Sequence, residues 1–133
     1  MSMATVQTRS LVLWVPDWPV VALSRERAAP VGHPLAVVEN NMVIACSAAA
    51  RVERVRRGQR RRDAQARCPD LEIVAADLTR DHRVFASVVS AVEERAPGVQ
   101  IMRPGLCALR ARGPARYYGG ERDAAEVLRE AVR

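Results

Sequence analysis

Residues 10–27 read SLVLWVPDWPVVALSRER, and this stretch indicates the fold class. Residues 10–15 form a short apolar run with β-branched and aromatic members, a composition typical of a strand. Asp17 stands where a helix N-cap is needed, and Pro19 falls in the first helical turn, where proline is tolerated. The sequence therefore predicts a buried strand that is followed at once by a helix ending near Arg27.

The alternation of strands and helices continues along the rest of the chain. A hairpin is predicted around Asn40-Asn41, because both residues tolerate positive φ. Ser47 is a suitable cap for a short helix at 48–55. The remaining predicted elements are a helix at 61–67, a strand at 71–76, a helix at 80–95, strands at 99–102 and 106–111, a loop at 117–120 and a helix at 121–133. This order predicts an α/β (α+β) fold, with one sheet covered by helices on one face and interrupted by a small, mainly helical insertion.

Length and composition limit the class of protein. A chain of 133 residues favours one domain, and 49 % hydrophobic with 27 % charged residues is typical of a globular protein. No apolar run reaches the roughly 18 residues that a membrane span needs. The N-terminus lacks the pattern of a secretory signal. We therefore expect a cytoplasmic protein with no membrane contact.

The cysteines and histidines do not suggest a metal site. Cys46, Cys68 and Cys107 lie far apart with no Cys-x-x-Cys pair, and His33 and His82 are the only histidines. Zinc has no ligand set in this pattern, and no metal or other cofactor is expected. The three thiols are predicted to be reduced and buried. A catalytic thiol is the alternative, although neither histidine is near a cysteine in sequence.

Positive charge is concentrated in one segment of the chain. Between Arg51 and Arg67 the net charge is +6, which equals the net charge of the whole chain. Such a segment predicts a surface that faces nucleic acid rather than a membrane, because no apolar helix face accompanies it. The alternative is a solvated face, since all 21 basic residues are Arg and compositional bias alone places arginine wherever a cation is tolerated. The predicted DNA-contacting residues are Arg51, Arg54, Arg56, Arg57, Arg60, Arg61, Arg62 and Arg67.

Three segments, at 15–22, 45–58 and 64–71, resemble the Y-family translesion DNA polymerases in order and spacing. In that family a first strand ends in Asp-x-Asp, a fingers segment reads like Ser-Tyr-Glu-Ala-Arg-x-x-Gly-Val-x-x-Gly-Met, and a later Ala-x-x-x-Cys-Pro closes it. The Pro-Asp-Trp-Pro opening and the Arg-Pro-Gly-Leu segment at 103–106 are similar to the ImuB branch, the polymerase-like subunit of a bacterial mutagenesis complex. The resemblance implies a ferredoxin-like palm sheet, with the palm at 10–31, a fingers-like segment at 32–70 and a truncated palm continuation at 71–133.

The residues that would bind metal in active relatives are missing here. Nucleotidyl transfer by two metals needs carboxylates that hold two cations about 3.5–4 Å apart. The resemblance places these carboxylates at Pro16 and Trp18 in the first motif and at Pro104 and Gly105 in the second, and none of the four carries an oxygen ligand on its side chain. We therefore expect vacated positions, no catalytic residues and no bound metal. We also expect Trp18 to be buried against the helix predicted at 80–95.

The resemblance also carries implications for the nucleotide pocket and for function. The fingers Tyr that contacts triphosphate in active relatives aligns with Ala48, the aromatic that screens the sugar aligns with Val21, and the fingers Arg is retained as Arg51. The implied function is a non-catalytic scaffold in error-prone translesion synthesis after DNA damage. Its implied partners are DNA, contacted without sequence preference, an error-prone C-family DNA polymerase, an accessory mutasome subunit and the sliding clamp. The implied location is the bacterial cytoplasm, at the nucleoid.

Two other functions remain open from the residues alone. The first is an active Y-family DNA polymerase with relocated metal ligands, in which Asp17 acts with Asp77 or Asp81. The second is a small basic nucleic-acid-binding module unrelated to polymerases, which would lack a palm sheet.

Overall fold

A computed structural model describes residues 9–133 as alternating strands and helices. The elements in chain order are β1 (Ser10–Trp14), α1 (Trp18–Arg27), β2 (Leu35–Glu39), β3 (Met42–Cys46), α2 (Ala48–Val52), α3 (Arg61–Arg67), β4 (Glu72–Ala75), α4 (Leu78–Glu93), β5 (Gln100–Arg103), β6 (Leu106–Arg110), α5 (Arg112–Tyr118) and α6 (Glu121–Ala131). The predicted mixed α/β class is confirmed. The prediction of one sheet is wrong, because the strands form two three-stranded sheets in the orders β1-β6-β5 and β3-β2-β4.

The chain divides into two compact units. One contains Val15–Phe85, and the other contains the described residues up to Trp14 together with Ala86–Arg133. None of the helices within residues 9–133 is both long and apolar enough to cross a bilayer. The predicted boundaries of palm and fingers stay a prediction.

The unit Val15–Phe85 is built around β2, which is buried on both faces. Antiparallel β3 follows β2 through a turn at Asn40 and Asn41, whose φ angles of 51° and 60° confirm the predicted hairpin. Strand β4 pairs with β2 in parallel. Helix α1 packs on one face of β2, and α2 and α3 pack on the other. A strand covered on both faces needs a nearly continuous apolar run, which explains the sequence LAVV at its start.

The other unit is built on the antiparallel sheet β1-β6-β5. One face of this sheet packs Leu11, Leu13 and Leu109 against Val92 of α4 and Leu128 of α6. The opposite face of β1 is open. The prediction of a buried first strand is therefore wrong in part, because Leu11 and Leu13 are half-buried and the three alternate residues of β1 are exposed.

Two further helices differ from the sequence prediction. Helix α2 ends at Val52, and Arg54 then adopts a positive φ of 67° that turns Val55 into the core. Helix α5 includes Tyr117 and Tyr118, the first two of the four residues that were predicted to form a loop. Its Pro114 lies in the first turn, where a missing backbone N–H costs nothing, so the Gly-Pro pair does not break the helix.

Candidate nucleotide cleft and cationic surface

Trp18 lies at the start of α1 with only 3 % of its surface exposed. Its ring meets the ring of Phe85 edge-on, with 5.0 Å between the ring centroids. The indole Nε1–H donates to the backbone carbonyl of Asp81 at 2.9 Å. The predicted burial of Trp18 against the long helix is confirmed, because Asp81 and Phe85 both belong to α4. Trp18 is therefore a core residue and offers no ligand oxygen.

Asp17 does not cap α1 with its side chain, so that prediction is wrong. Its backbone is left-handed, with φ of 52°, and its carboxylate is directed to the corner between β3 and α2 instead. Asp17 Oδ2 accepts from Arg51 Nη1 at 2.6 Å, and Oδ1 accepts from the backbone N–H of Cys46 at 3.1 Å. Arg51 Nη1 also donates to the Cys46 carbonyl at 2.9 Å. We call this arrangement of Asp17, Arg51 and Cys46 the Asp17–Arg51 latch.

The latch lines a cleft of about 560 Å³ between α1 and the start of α2. Pro16, Val21 and Ala48 line the same cleft, so the structure brings these sequence-predicted positions together with Arg51. Burial, followed by the nearby charge of Asp17, raises the pKa of the Cys46 thiol at its wall. The cleft is mostly apolar, and the carboxylate of Asp17 already pairs with the guanidinium of Arg51.

Ser47 positions the first turn of α2 beside this cleft. As predicted, its side chain caps the helix, with Oγ accepting from the backbone N–H of Ala50 at 3.2 Å. The same Oγ accepts from the N–H of Leu35 at 2.9 Å and donates to the carbonyl of His33 at 2.9 Å. A buried hydroxyl with three partners fixes the backbone, and this places Ala48 and Arg51 on the wall of the cleft.

The second motif that the resemblance implies falls on the turn between β5 and β6. Pro104 and Gly105 are the two turn residues, and Gly105 has φ of 90°. L side chains rarely adopt this backbone conformation, whereas glycine does so at little cost. The turn itself therefore disfavours the carboxylate that the resemblance would place at Gly105.

The residues present do not fit a two-metal site. In the part of the chain that the structure describes, no three His, Cys, Asp or Glu side chains converge as a metal-binding group. Asp77 Oδ1 accepts from the backbone N–H of Arg80 at 3.0 Å, at the start of α4. Asp81 is buried, and this burial raises the pKa of its carboxyl. The carboxylate of Asp17 is already bonded to Arg51 and to the Cys46 amide in the latch.

The eight predicted DNA-contacting arginines are all exposed, and they fall into two groups. Arg51 and Arg56 have structural partners, since Arg56 Nη1 donates to the carbonyls of Arg51 at 2.9 Å and Val55 at 3.0 Å. The other six guanidinium groups have no hydrogen bond or ion pair within residues 9–133. They are Arg54, Arg57, Arg60, Arg61, Arg62 and Arg67. We call these six the free arginines.

Three of the free arginines share one groove. Arg60, Arg61 and Arg62 line a groove of about 560 Å³ with the Asn40-Asn41 turn. Backbone hydrogen bonds hold this segment beside the turn. The N–H of Arg61 donates to the Asn41 carbonyl at 2.8 Å. The N–H of Gly58 donates to the Val43 carbonyl, and the N–H of Val43 donates to the Gln59 carbonyl, both at 2.8 Å. Unpaired cations concentrated in a groove attract a polyanion. The sequence predicted the cluster of eight arginines. It did not predict which of them are bonded within the protein, because those contacts form only in the folded chain.

Comparison with known proteins gives the family. The sequence model of the impB/mucB/samB family matches residues 19–133. A Y-family DNA polymerase chimera of Dbh and Dpo4 aligns with a TM-score of 0.77 at 13 % identity, covering 92 % of this chain and 37 % of that one. A ternary complex of Dbh aligns with a TM-score of 0.78 at 14 % identity, covering 92 % of this chain and 36 % of that one.

The chain thus spans little more than a third of the length of these polymerase structures. No curated protein matches it. At such low identity the structural likeness establishes the fold alone, and that fold is palm-like. Because the family match extends over most of its residues, the chain belongs to the impB/mucB/samB family.

Proposed function

We propose that this chain is a non-catalytic, ImuB-type component of error-prone translesion DNA synthesis in the DNA damage response. The observation that carries the proposal is the Asp17–Arg51 latch. Asp17 is the carboxylate next to both vacated positions of the first motif, and its two oxygens are bonded to Arg51 and to the Cys46 amide. A carboxylate that already neutralises a guanidinium is a poor ligand for a divalent cation.

The nucleotide positions support the same proposal. The fingers Arg implied by the resemblance is Arg51, and its Nη1 is bonded within the protein to Asp17 and to the Cys46 carbonyl. Val21 and Ala48 supply no ring and no hydroxyl to the cleft that they line. An incoming triphosphate would therefore have to displace Asp17 from Arg51 and would find no side chain to stack against its sugar.

The free arginines support a scaffold function, in which the chain binds DNA but does not catalyse nucleotidyl transfer. Their guanidinium groups are available to phosphates, and phosphate contacts position a protein on DNA without reading its sequence. The further proposed partners are an error-prone C-family DNA polymerase, an accessory mutasome subunit and the sliding clamp. These partners rest on the ImuB resemblance, and the proposed place of action is the DNA of the bacterial nucleoid.

Direct measurement of metal binding tests the proposal. We expect a titration with Mn²⁺, followed by electron paramagnetic resonance, to detect no stoichiometric site in the purified chain, with or without deoxynucleoside triphosphate. The matched variant is Asp17→Asn, which keeps the shape of the side chain. Stoichiometric Mn²⁺ binding that disappears in Asp17→Asn, together with metal-dependent primer extension, would establish the active polymerase with relocated ligands instead.

A further inference from the structure

The unit that contains β1, β5 and β6 has a pocket of its own, with a volume of about 480 Å³. It is bounded by the turn that follows α4, by the end of β6 and by one side of α5. Its lining includes Pro97 and Pro114 together with the adjacent tyrosines Tyr117 and Tyr118. Pockets of roughly 300–1,000 Å³ with aromatic walls and few polar groups are typical binding sites.

The two tyrosines form an aromatic wall of the pocket. Tyr118 Oη–H donates to the backbone carbonyl of Arg95 at 2.7 Å, which holds the ring against the turn after α4. The ring of Tyr117 stands edge-on to it, with 4.8 Å between the centroids and 82° between the planes. Tyr117 is nevertheless 82 % exposed. An exposed tyrosine supplies a large amphipathic contact area, which is why tyrosine is enriched where proteins bind partners.

The charges at the rim favour an acidic partner. Arg95 and Arg110 are exposed lining residues, and neither side chain forms an ion pair within residues 9–133. Glu94 is the acidic lining residue, so the pocket has a net positive charge and one carboxylate. The carboxylate of Glu94 repels a run of phosphates. A polypeptide can instead place carboxylates beside Arg95 and Arg110 and an amide N–H beside Glu94.

We propose that this pocket binds an acidic, extended peptide segment of a partner protein. An apolar or proline side chain of that segment packs on Tyr117 and Tyr118, and its carboxylates pair with Arg95 and Arg110. Grooves lined by aromatic side chains recognise extended, proline-containing peptides, and the rim of such an interface is polar. The inference depends on the tyrosine pocket alone and does not rest on the proposed function.

Selection from a random nonapeptide phage library tests the proposal, with the purified 133-residue chain as bait and its Tyr117→Ala variant as counter-selection. Tyr117 is exposed and has only a ring contact, so this variant is expected to fold. We expect the enriched peptides to have Asp or Glu within a few positions of proline or an aromatic residue. Binding of synthetic copies should weaken by about tenfold or more in Tyr117→Ala and by a smaller factor in Arg110→Ala. Circular dichroism establishes that each variant is folded.

Two control variants distinguish peptide binding in the pocket from non-specific hydrophobic or electrostatic binding elsewhere on the chain. Val52→Ala removes an equally exposed apolar side chain, and Arg57→Ala removes an unpaired arginine, both in the other unit. Neither should change the affinity of a selected peptide. The proposal is overturned if no peptide is enriched against the counter-selection, or if the enriched peptides lack carboxylates. It is also overturned if an oligothymidine strand, and no peptide, binds in a manner that requires Tyr117.

Discussion

Trp18 and Trp14 have the same side chain in opposite environments, being 3 % and 62 % exposed respectively. We expect Trp18→Ala to lower the free energy of unfolding by about 3–5 kcal/mol, because it removes the packing on Phe85 and leaves a cavity. Trp14→Ala should cost less than about 1 kcal/mol, since that ring faces solvent. Denaturant unfolding of both variants makes the comparison. Equal losses would mean that the ring of Trp18 is not a core element.

The cysteine thiols give a second prediction at the scale of single residues. Cys46, Cys68 and Cys107 are free and buried, which confirms the expectation of buried thiols. Burial raises the pKa of Cys46 and of Cys107, so their reactive thiolate forms are scarce at neutral pH. We expect a colourimetric disulfide reagent to label no thiol in the native protein and all three after denaturation. Rapid labelling of one native thiol would favour the reactive-cysteine alternative.

Glu72, the first residue of β4, forms an ion pair with Arg27, the last residue of α1. Its carboxylate accepts from Arg27 at 2.8 and 3.3 Å and pairs with His33 Nε2 at 2.6 Å. The Arg27 hydrogen bonds, followed by that of His33, lower the pKa of Glu72 to about 2. Because the pKa is lower in the folded state, this stabilisation is complete above the unfolded pKa of about 4.3 and is lost as the pH falls through the folded value.

The matched variant for this contact is Glu72→Gln. We expect it to lower the free energy of unfolding by about 0.5–1 kcal/mol near neutral pH, a small value because the carboxylate is partly exposed and screened. The difference from the original protein should shrink as the pH is lowered from about 5 toward about 2. Chemical denaturation across that range measures it. A difference that is constant with pH would show that the ion pair contributes nothing.

Elements whose signals are local could be predicted from the sequence. The Asn40-Asn41 hairpin and the helix at Arg61–Arg67 depend on turn residues and on the proline that follows Cys68, and both are confirmed. The separation into two sheets could not be predicted, because the parallel pairing of β2 with β4 joins residues that are distant in sequence. For the same reason the partners of Asp17 were missed. A local capping rule cannot reveal contacts to residues 46 and 51.

At the scale of the whole molecule, the free arginines predict how DNA binding depends on salt. Each phosphate contact on duplex DNA lowers the logarithm of affinity by about 0.9 per decade of salt. Replacing Arg57, Arg60, Arg61 and Arg62 with Gln should therefore weaken binding and flatten this slope. Arg56, an obvious choice from sequence, is left intact because its guanidinium bonds to backbone carbonyls. Fluorescence anisotropy at several salt concentrations gives the slope.

A second fourfold variant provides the charge-matched control. It replaces exposed arginines of the other unit and has the same net charge as the first: Arg103, Arg112, Arg116 and Arg122. We expect it to retain most of the affinity and the original slope. If both variants bind DNA equally weakly, binding depends on overall charge. If the first variant keeps its affinity, the free arginines form a solvated face that does not contact DNA.

The backbone hydrogen bonds beside the groove lined by Arg60, Arg61 and Arg62 also affect self-association of the protein. The chain from residue 58 to residue 61 lies along the outer edge of β3, and it bonds to the backbone of residue 43 in that strand and of residue 41 in the preceding turn. An exposed strand edge is a template for the addition of further strands, and proteins commonly block it with a covering segment and with charge. Here one segment provides both protections. The arginines that we assign to DNA therefore also oppose aggregation, so their replacement should lower solubility, which light scattering will detect before any loss of affinity is interpreted.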